Sequence, residues 1–199
     1  MPKIWIHIIL VFFLSVGSYG FGNAQKAVEL TNGSFEGEPH DAVNPEGWES
    51  CGYDSTPDIL PGPWGVYQKP THGYTFLGLI SRENNTWETI EQKLDKPLKK
   101  GQCYKFTVDL SRSPAYAGYA KPVRLRVWAS TSSCDRKQMI ALSPTIEHNE
   151  WRTYPFMFFA EESYKYIIIE CFYKEGTLIP YRGNILIDNF SAFEPCDRA

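Results

Sequence analysis

The stretch "YKFTVDL" at 104–110 sets Tyr104, Phe106, Val108 and Leu110 against Lys105, Thr107 and Asp109. A second stretch, "VRLRVWA" at 123–129, opposes Val123, Leu125 and Val127 to Arg124, Arg126 and Trp128. A period of two is the mark of a half-buried strand, because successive side chains of a strand leave its opposite faces. Working outward, 27–35, 73–80, 87–94, 138–142, 151–159, 164–173 and 184–193 read as further strands. Pro- and Gly-rich loops such as "PGPWG" at 61–65 and "SPAYAGYAKP" at 113–122 punctuate them. "ETIEQKLDKPLKK" is the nearest approach to a helix, but Pro97 breaks it, and Trp87, Ile90 and Leu94 serve an edge strand equally well. About nine short strands at this spacing predict an all-β chain folded as an antiparallel β-sandwich.

Residues 1–24 have one Lys near the start, an apolar run from Ile4 to Val16 and small residues up to Ala24. This is the layout of a secretory signal peptide, and the run is short for a bilayer span. The expectation is therefore a cleaved leader and one β-sandwich domain over 25–199, secreted or at the cell surface, without a membrane span after cleavage. The formal net charge is −3, and no basic stripe occurs, which argues against nucleic acid as a partner.

The five cysteines, Cys51, Cys103, Cys134, Cys171 and Cys196, form no CxxC pair and lack zinc-site spacing. Disulfides suit an exported chain better. A hairpin of 104–111 with 122–131 would bring Cys103 and Cys134 together and predicts that bridge, with the other pairings open. Cys171, inside "YIIIECFY", reads as a buried and inert thiol.

The motifs "NGSFEGE…GW", "GYTFLGL", "PLKKGQCYKFTVDLS", "EWRTYPFMFFAEESYKYIII" and "NILIDNFSAF" occur in an order that resembles the CenC-type carbohydrate-binding modules. The longer run from "TPDILPGPWG" through "KFTVDLS" is similar to a domain of exported Bacteroidetes surface proteins associated with OmpA-like or gliding-associated proteins. The resemblance implies a jelly roll of the galactose-binding-like group. It also implies a structural calcium ion where the first strand ends beside the last. Its oxygen ligands would be carbonyls of Ser34 and Gly73 and carboxylates of Glu36 and Asp188. Asp188 is followed here by Asn189, where the family often has a second acid.

The outward parity of Arg124, Arg126 and Trp128 offers guanidinium forks beside a ring, which suits a sugar or an acidic polymer. Loops add Trp64, Tyr67 and Tyr181 as candidate ligand contacts. Three function classes follow: a non-catalytic module for a glycan or envelope polymer, a structural or adhesive surface domain with a protein partner, and a glycoside hydrolase or lyase. The third lacks support. No pair among Asp41, Glu46, Asp58, Glu83, Glu88 and Glu91 is singled out by spacing, His40, His72 and His148 sit in turn-rich segments, and GxSxG, HExxH and phosphate loops are absent.

Overall fold

The structure is a computed structural model that describes residues 26–52 and 54–196. The expected leader lies outside the described residues. Two sheets face each other across one apolar core. The five-stranded sheet has the spatial order β1 (Glu49–Ser50), β4 (Thr89–Leu98), β10 (Tyr164–Phe172), β7 (Arg124–Ser130), β8 (Gln138–Leu142). The seven-stranded sheet runs β12 (Glu194–Pro195), β5 (Cys103–Ser111), β11 (Gly183–Asp188), β3 (Phe76–Ser81), β2 (Asp58–Leu60). In it, β9 (Arg152–Phe159) pairs with β5 and β6 (Lys121–Pro122) pairs with β11. Pairing is antiparallel except for the two-residue β6–β11 ladder.

The alternation read from the sequence is the observed burial. Tyr104, Phe106, Val108 and Leu110 point inward from β5, and Leu125, Val127 and Ala129 point inward from β7. Their inner faces meet across the core rather than along a common ladder. The expected 104–111/122–131 hairpin is therefore corrected: β5 and β7 belong to opposite sheets. Strand alternation identifies a buried face but not a neighbour, and the connection after β5 is far longer than the two-residue loop of a tight hairpin.

The expected Cys103–Cys134 bridge falls with that hairpin. Cys103 is bonded instead to Cys196, which β12 carries alongside β5 through the pairs Glu194–Lys105 and Pro195–Tyr104. Cys134 is bonded to Cys51. Cys171 is free and buried, as the sequence suggested, and burial holds its thiol well above the ordinary range.

The two ends of the described segment come together where Val28 bridges Phe193. The expected strand over 27–35 is reduced to that single bridge, because side chains replace the ladder. Gln92 accepts the Thr31 N–H at 2.7 Å and donates to the Thr31 and Gly47 carbonyls, while Asn32 Oδ1 accepts the Glu36 N–H at 2.7 Å. The expected strand over 87–94 is β4, which extends through Pro97 to Leu98. Phe106 anchors the core end, stacked on Phe190 at 5.0 Å with Phe156, Phe158 and Phe193 around it. A smaller apolar cluster of Leu60, Val66, Phe76, Ile80, Tyr116 and Leu186 lies apart from this core.

Glu88 fixes the segments leading into β4. Its Oε1 accepts Arg82 Nη2 at 2.7 Å and Thr56 Oγ1 at 2.9 Å, and its Oε2 accepts the Ile80 N–H at 2.9 Å. Burial pushes its carboxyl up to about 8, against the opposing pull of Arg82. The folded chain then holds a proton that the unfolded chain, near the ordinary 4.5, has released. That contribution to stability is complete below the ordinary carboxylate range and is lost as pH rises toward 8. Melting temperature should fall across this window in the wild type and fall less in Glu88→Gln. Equal slopes for the two proteins would contradict the assignment.

Candidate functional site

The outer face of the five-stranded sheet is built around Glu170. On β10, Ile167 and Ile169 enter the core, so Ile168, Glu170 and Phe172 point away from it. Across the register, Glu170 stands between Arg126 on β7 and Thr89 on β4, and Phe172 stands beside Arg124. Glu170 Oε1 takes Arg126 Nη2 at 2.5 Å and the Trp128 indole N–H at 2.8 Å. Its Oε2 takes Arg136 Nη2 at 2.7 Å, Arg136 Nε at 2.8 Å and the Trp87 indole N–H at 3.0 Å. The Arg126 guanidinium lies over the Phe172 ring at 3.3 Å. Burial pulls its pKa below the usual arginine value, opposed by Glu170.

This network occupies both oxygens of Glu170, while Arg126 Nε is buried without a hydrogen-bond partner among the described residues. A buried carboxylate with two guanidiniums and two indole donors has little capacity left for proton transfer. The same engagement shows how Arg126 and Trp128 are used: both face outward as expected, yet Arg126 gives its Nη2 and Trp128 its indole N–H to Glu170. Arg124, beside them, pairs with the exposed Glu175 at 3.5 Å. The sequence reading missed Glu170, Trp87 and Arg136. The signal for Glu170 was present, since an acid in "YIIIECFY" is an acid inside an apolar strand.

Other expected contacts lie elsewhere. Trp64 and Tyr67 belong to the loop between β2 and β3. Trp64 is 43% exposed with its ring edge-on to Tyr119 at 6.3 Å, and Tyr67 is 79% exposed. Tyr181 packs on Tyr173 at 5.3 Å, donates to the Pro122 carbonyl at 2.8 Å and accepts the Lys174 N–H at 2.8 Å. The six residues expected to contact ligand thus do not form one cluster. Arg124, Arg126 and Trp128 share a strand face, while Trp64 and Tyr67 sit on a different loop.

Three of the four residues expected around a metal, Glu36, Gly73 and Asp188, meet at one loop, 71–75. Asp188 Oδ2 accepts the backbone N–H groups of Thr71 at 2.7 Å and His72 at 3.0 Å. Glu36 Oε2 accepts those of Tyr74 at 2.9 Å and Thr75 at 3.3 Å. Gly73 lies between the two pairs at φ +64°, and a Cβ there would stand 1.7 Å from Glu36 Oε1, so only glycine fits. Ser34 adjoins Gly33, whose carbonyl accepts the Phe190 N–H at 2.9 Å just after β11. Glu36 Oε1 is buried and has no hydrogen-bond partner among the described residues. Burial raises the Asp188 pKa, opposed by its backbone donors. Asp109 reaches the same place, since Thr71 Oγ1 lies 2.8 Å from Asp109 Oδ2 and 3.0 Å from Asp188 Oδ2.

The arrangement defines an antiparallel β-sandwich of jelly-roll form. Solved structures share this fold. The CBM22-1 xylan-binding domain of Paenibacillus barcinonensis Xyn10C superposes with a TM-score of 0.55 at 14% identity, over 88% of this chain and 100% of that one. A family 16 carbohydrate-binding module gives 0.51 at 12% identity over 83% and 99%. The K3 cleaved adhesin domain of Lys-gingipain from Porphyromonas gingivalis gives 0.53 at 13% over 83% and 99%. At these identities the likeness is one of fold. No protein-family model matches the sequence, and no curated protein matches it.

Exchanging Glu170 for Gln keeps the shape and removes the charge that Arg126 and Arg136 share. Breaking a buried ion pair in this way costs on the order of 3 kcal/mol. Urea denaturation of Glu170→Gln should show a loss of that order, and Trp128→Ala should also be destabilised. An unchanged midpoint for Glu170→Gln would remove Glu170 from its structural role.

Proposed function

We propose that this chain is an exported, non-catalytic binding module that recognises a glycan or a cell-envelope polymer at the cell surface. The observation that carries the reading is the outer face of the five-stranded sheet. There, the Arg124 guanidinium, Lys174 and the rings of Phe172 and Tyr173 line an open depression on a jelly roll of the kind found in carbohydrate-binding modules. Rings offer stacking area and arginine offers forked donors, the two contacts a sugar uses. Two disulfides suit an oxidising, extracellular setting. Among the described residues, no helix is long and apolar enough to cross a membrane.

A second reading, a surface domain that binds a protein partner, has its own observation. Met157 and Phe159 are exposed on β9, next to β8 with the exposed Met139 and Leu142. Glycan-array binding by the protein separates the readings: the first expects retained glycans that Arg124→Ala releases. Retention of none, with capture of a defined protein instead, would favour the second.

A structural calcium ion forms part of the proposal. What supports it is that Glu36 Oε1 is buried without a hydrogen-bond partner among the described residues, its carboxylate packed into the space that Gly73, lacking a Cβ, leaves free. Glu36 and Asp188 would supply carboxylates, and Ser34 and Gly73 carbonyls, a hard oxygen set suited to calcium. A bound ion would join the start of the domain to its closing strand. An ion that binds only the folded state adds about 2.7 kcal/mol at a hundredfold excess over its Kd. Melting temperature should fall in chelator and recover with calcium, and Glu36→Gln should abolish the shift. Identical melting curves with calcium and with chelator would refute the ion.

A further inference from the structure

Ile168 points away from the core on β10, belongs to neither apolar cluster, and is nonetheless 0% exposed. Its register neighbours are Trp128 on β7 and Glu91 on β4. A loop lies over this row. Residues 131–137, between β7 and β8, reach past β10 to β4, where Ser133 Oγ and the Cys134 N–H donate to the two Glu91 oxygens at 2.6 and 2.5 Å. One row further along, Arg136 donates to Glu170 at 2.8 Å and to Thr89 Oγ1 at 3.2 Å. Cys134 is then bonded covalently to Cys51, just beyond β1.

The roof therefore has a polar anchor on β4, an ionic anchor on β10 and a disulfide to the far edge of the sheet. It spans the Trp128–Ile168–Glu91 and Arg126–Glu170–Thr89 rows. The next row, Arg124 beside Phe172, is open. There a cavity of about 430 Å³ is lined by Leu142, Arg124, Phe172, Asn85, Lys174 and Leu178, among others. At Asn85 it adjoins a second cavity of about 200 Å³ bounded by Trp87, Arg136 and Asp54.

We infer that the stapled loop 131–137 denies ligand the middle of this face, and that the Arg124–Phe172 groove at its end is the binding site for a short glycan segment. The inference rests on the glycan-binding reading. Strands lie about 4.8 Å apart, so the crossing from Leu142 on β8, over Arg124 and Phe172, to the segment before β4 that carries Asn85 measures roughly 14 Å, room for about three pyranose rings. Phe172 and Leu142 supply the apolar floor and edge, and Arg124 and Lys174 supply donors. A longer chain gains nothing from rows that are already roofed.

The test uses the wild-type protein and printed ladders of xylo-, gluco-, manno- and galacturono-oligosaccharides, each running from the monosaccharide to the polymer. Affinity should rise with length and level off at about three units. Arg124→Ala should lower it tenfold or more with an unchanged melting temperature. A variant with Cys51→Ser, Cys134→Ser and a shortened 132–137 loop should gain affinity for the longer members. The wild-type length series needs no variant, so it decides the matter even where the loop variant does not fold. Affinity that keeps climbing to the polymer, or binding unaffected by Arg124→Ala but lost in Tyr166→Ala, at the residue that β10 carries opposite Ser130 on the far side of the roofed rows, would overturn the end-groove site and leave the glycan reading standing. Retention of no ladder at any length would count against the glycan reading itself, and the inference would fall with it.

Discussion

The outer face depends on one buried carboxylate. Glu170 has no solvent contact, and it is held by two arginines and two tryptophans drawn from β7, the loop after β7 and the segment before β4. A lone ionised group in that position would carry a desolvation cost of several kcal/mol, so its partners have to be in place when the sheet closes. Those partners belong to separate stretches of chain. Satisfying one acid therefore fixes the positions of Trp87, Trp128, Arg126 and Arg136 together.

The opposite sheet uses the same device differently. Asp188 and Glu36 each accept two successive backbone N–H groups of the loop 71–75, one pair on either side of Gly73. These bonds make the loop a bridge between the first turn of the domain and β11. Acids that look anomalous in an apolar strand are thus the points at which irregular backbone is tied to regular sheet. Irregular segments need such partners because their own amides have no ladder to join.

The covalent links follow the topology rather than the order of the cysteines. Cys103–Cys196 secures the terminal strand to β5, and Cys51–Cys134 secures a loop across the five-stranded face. The first closes the domain. The second shapes the surface, since the loop it holds covers the middle rows of that face.

The sequence by itself determined the longer strands and the inward faces of β5 and β7, but not the short β1, β2, β6 and β12. Alternation in 104–110 and 123–129 placed every inward side chain, because a period of two follows from the backbone of any strand. It also marked Cys171 as buried. Only the tertiary structure decided that β5 and β7 lie in opposite sheets, that Cys103 meets Cys196, and that Trp64 and Trp128 are apart. The physical reason is that local periodicity reports which face of a strand avoids water, whereas the neighbour of that strand is chosen by long connections and by the packing of the whole core. Glu170 shows the boundary between the two. Its place in an apolar run was legible, but its partners Arg126, Arg136, Trp87 and Trp128 are joined only once the chain has folded.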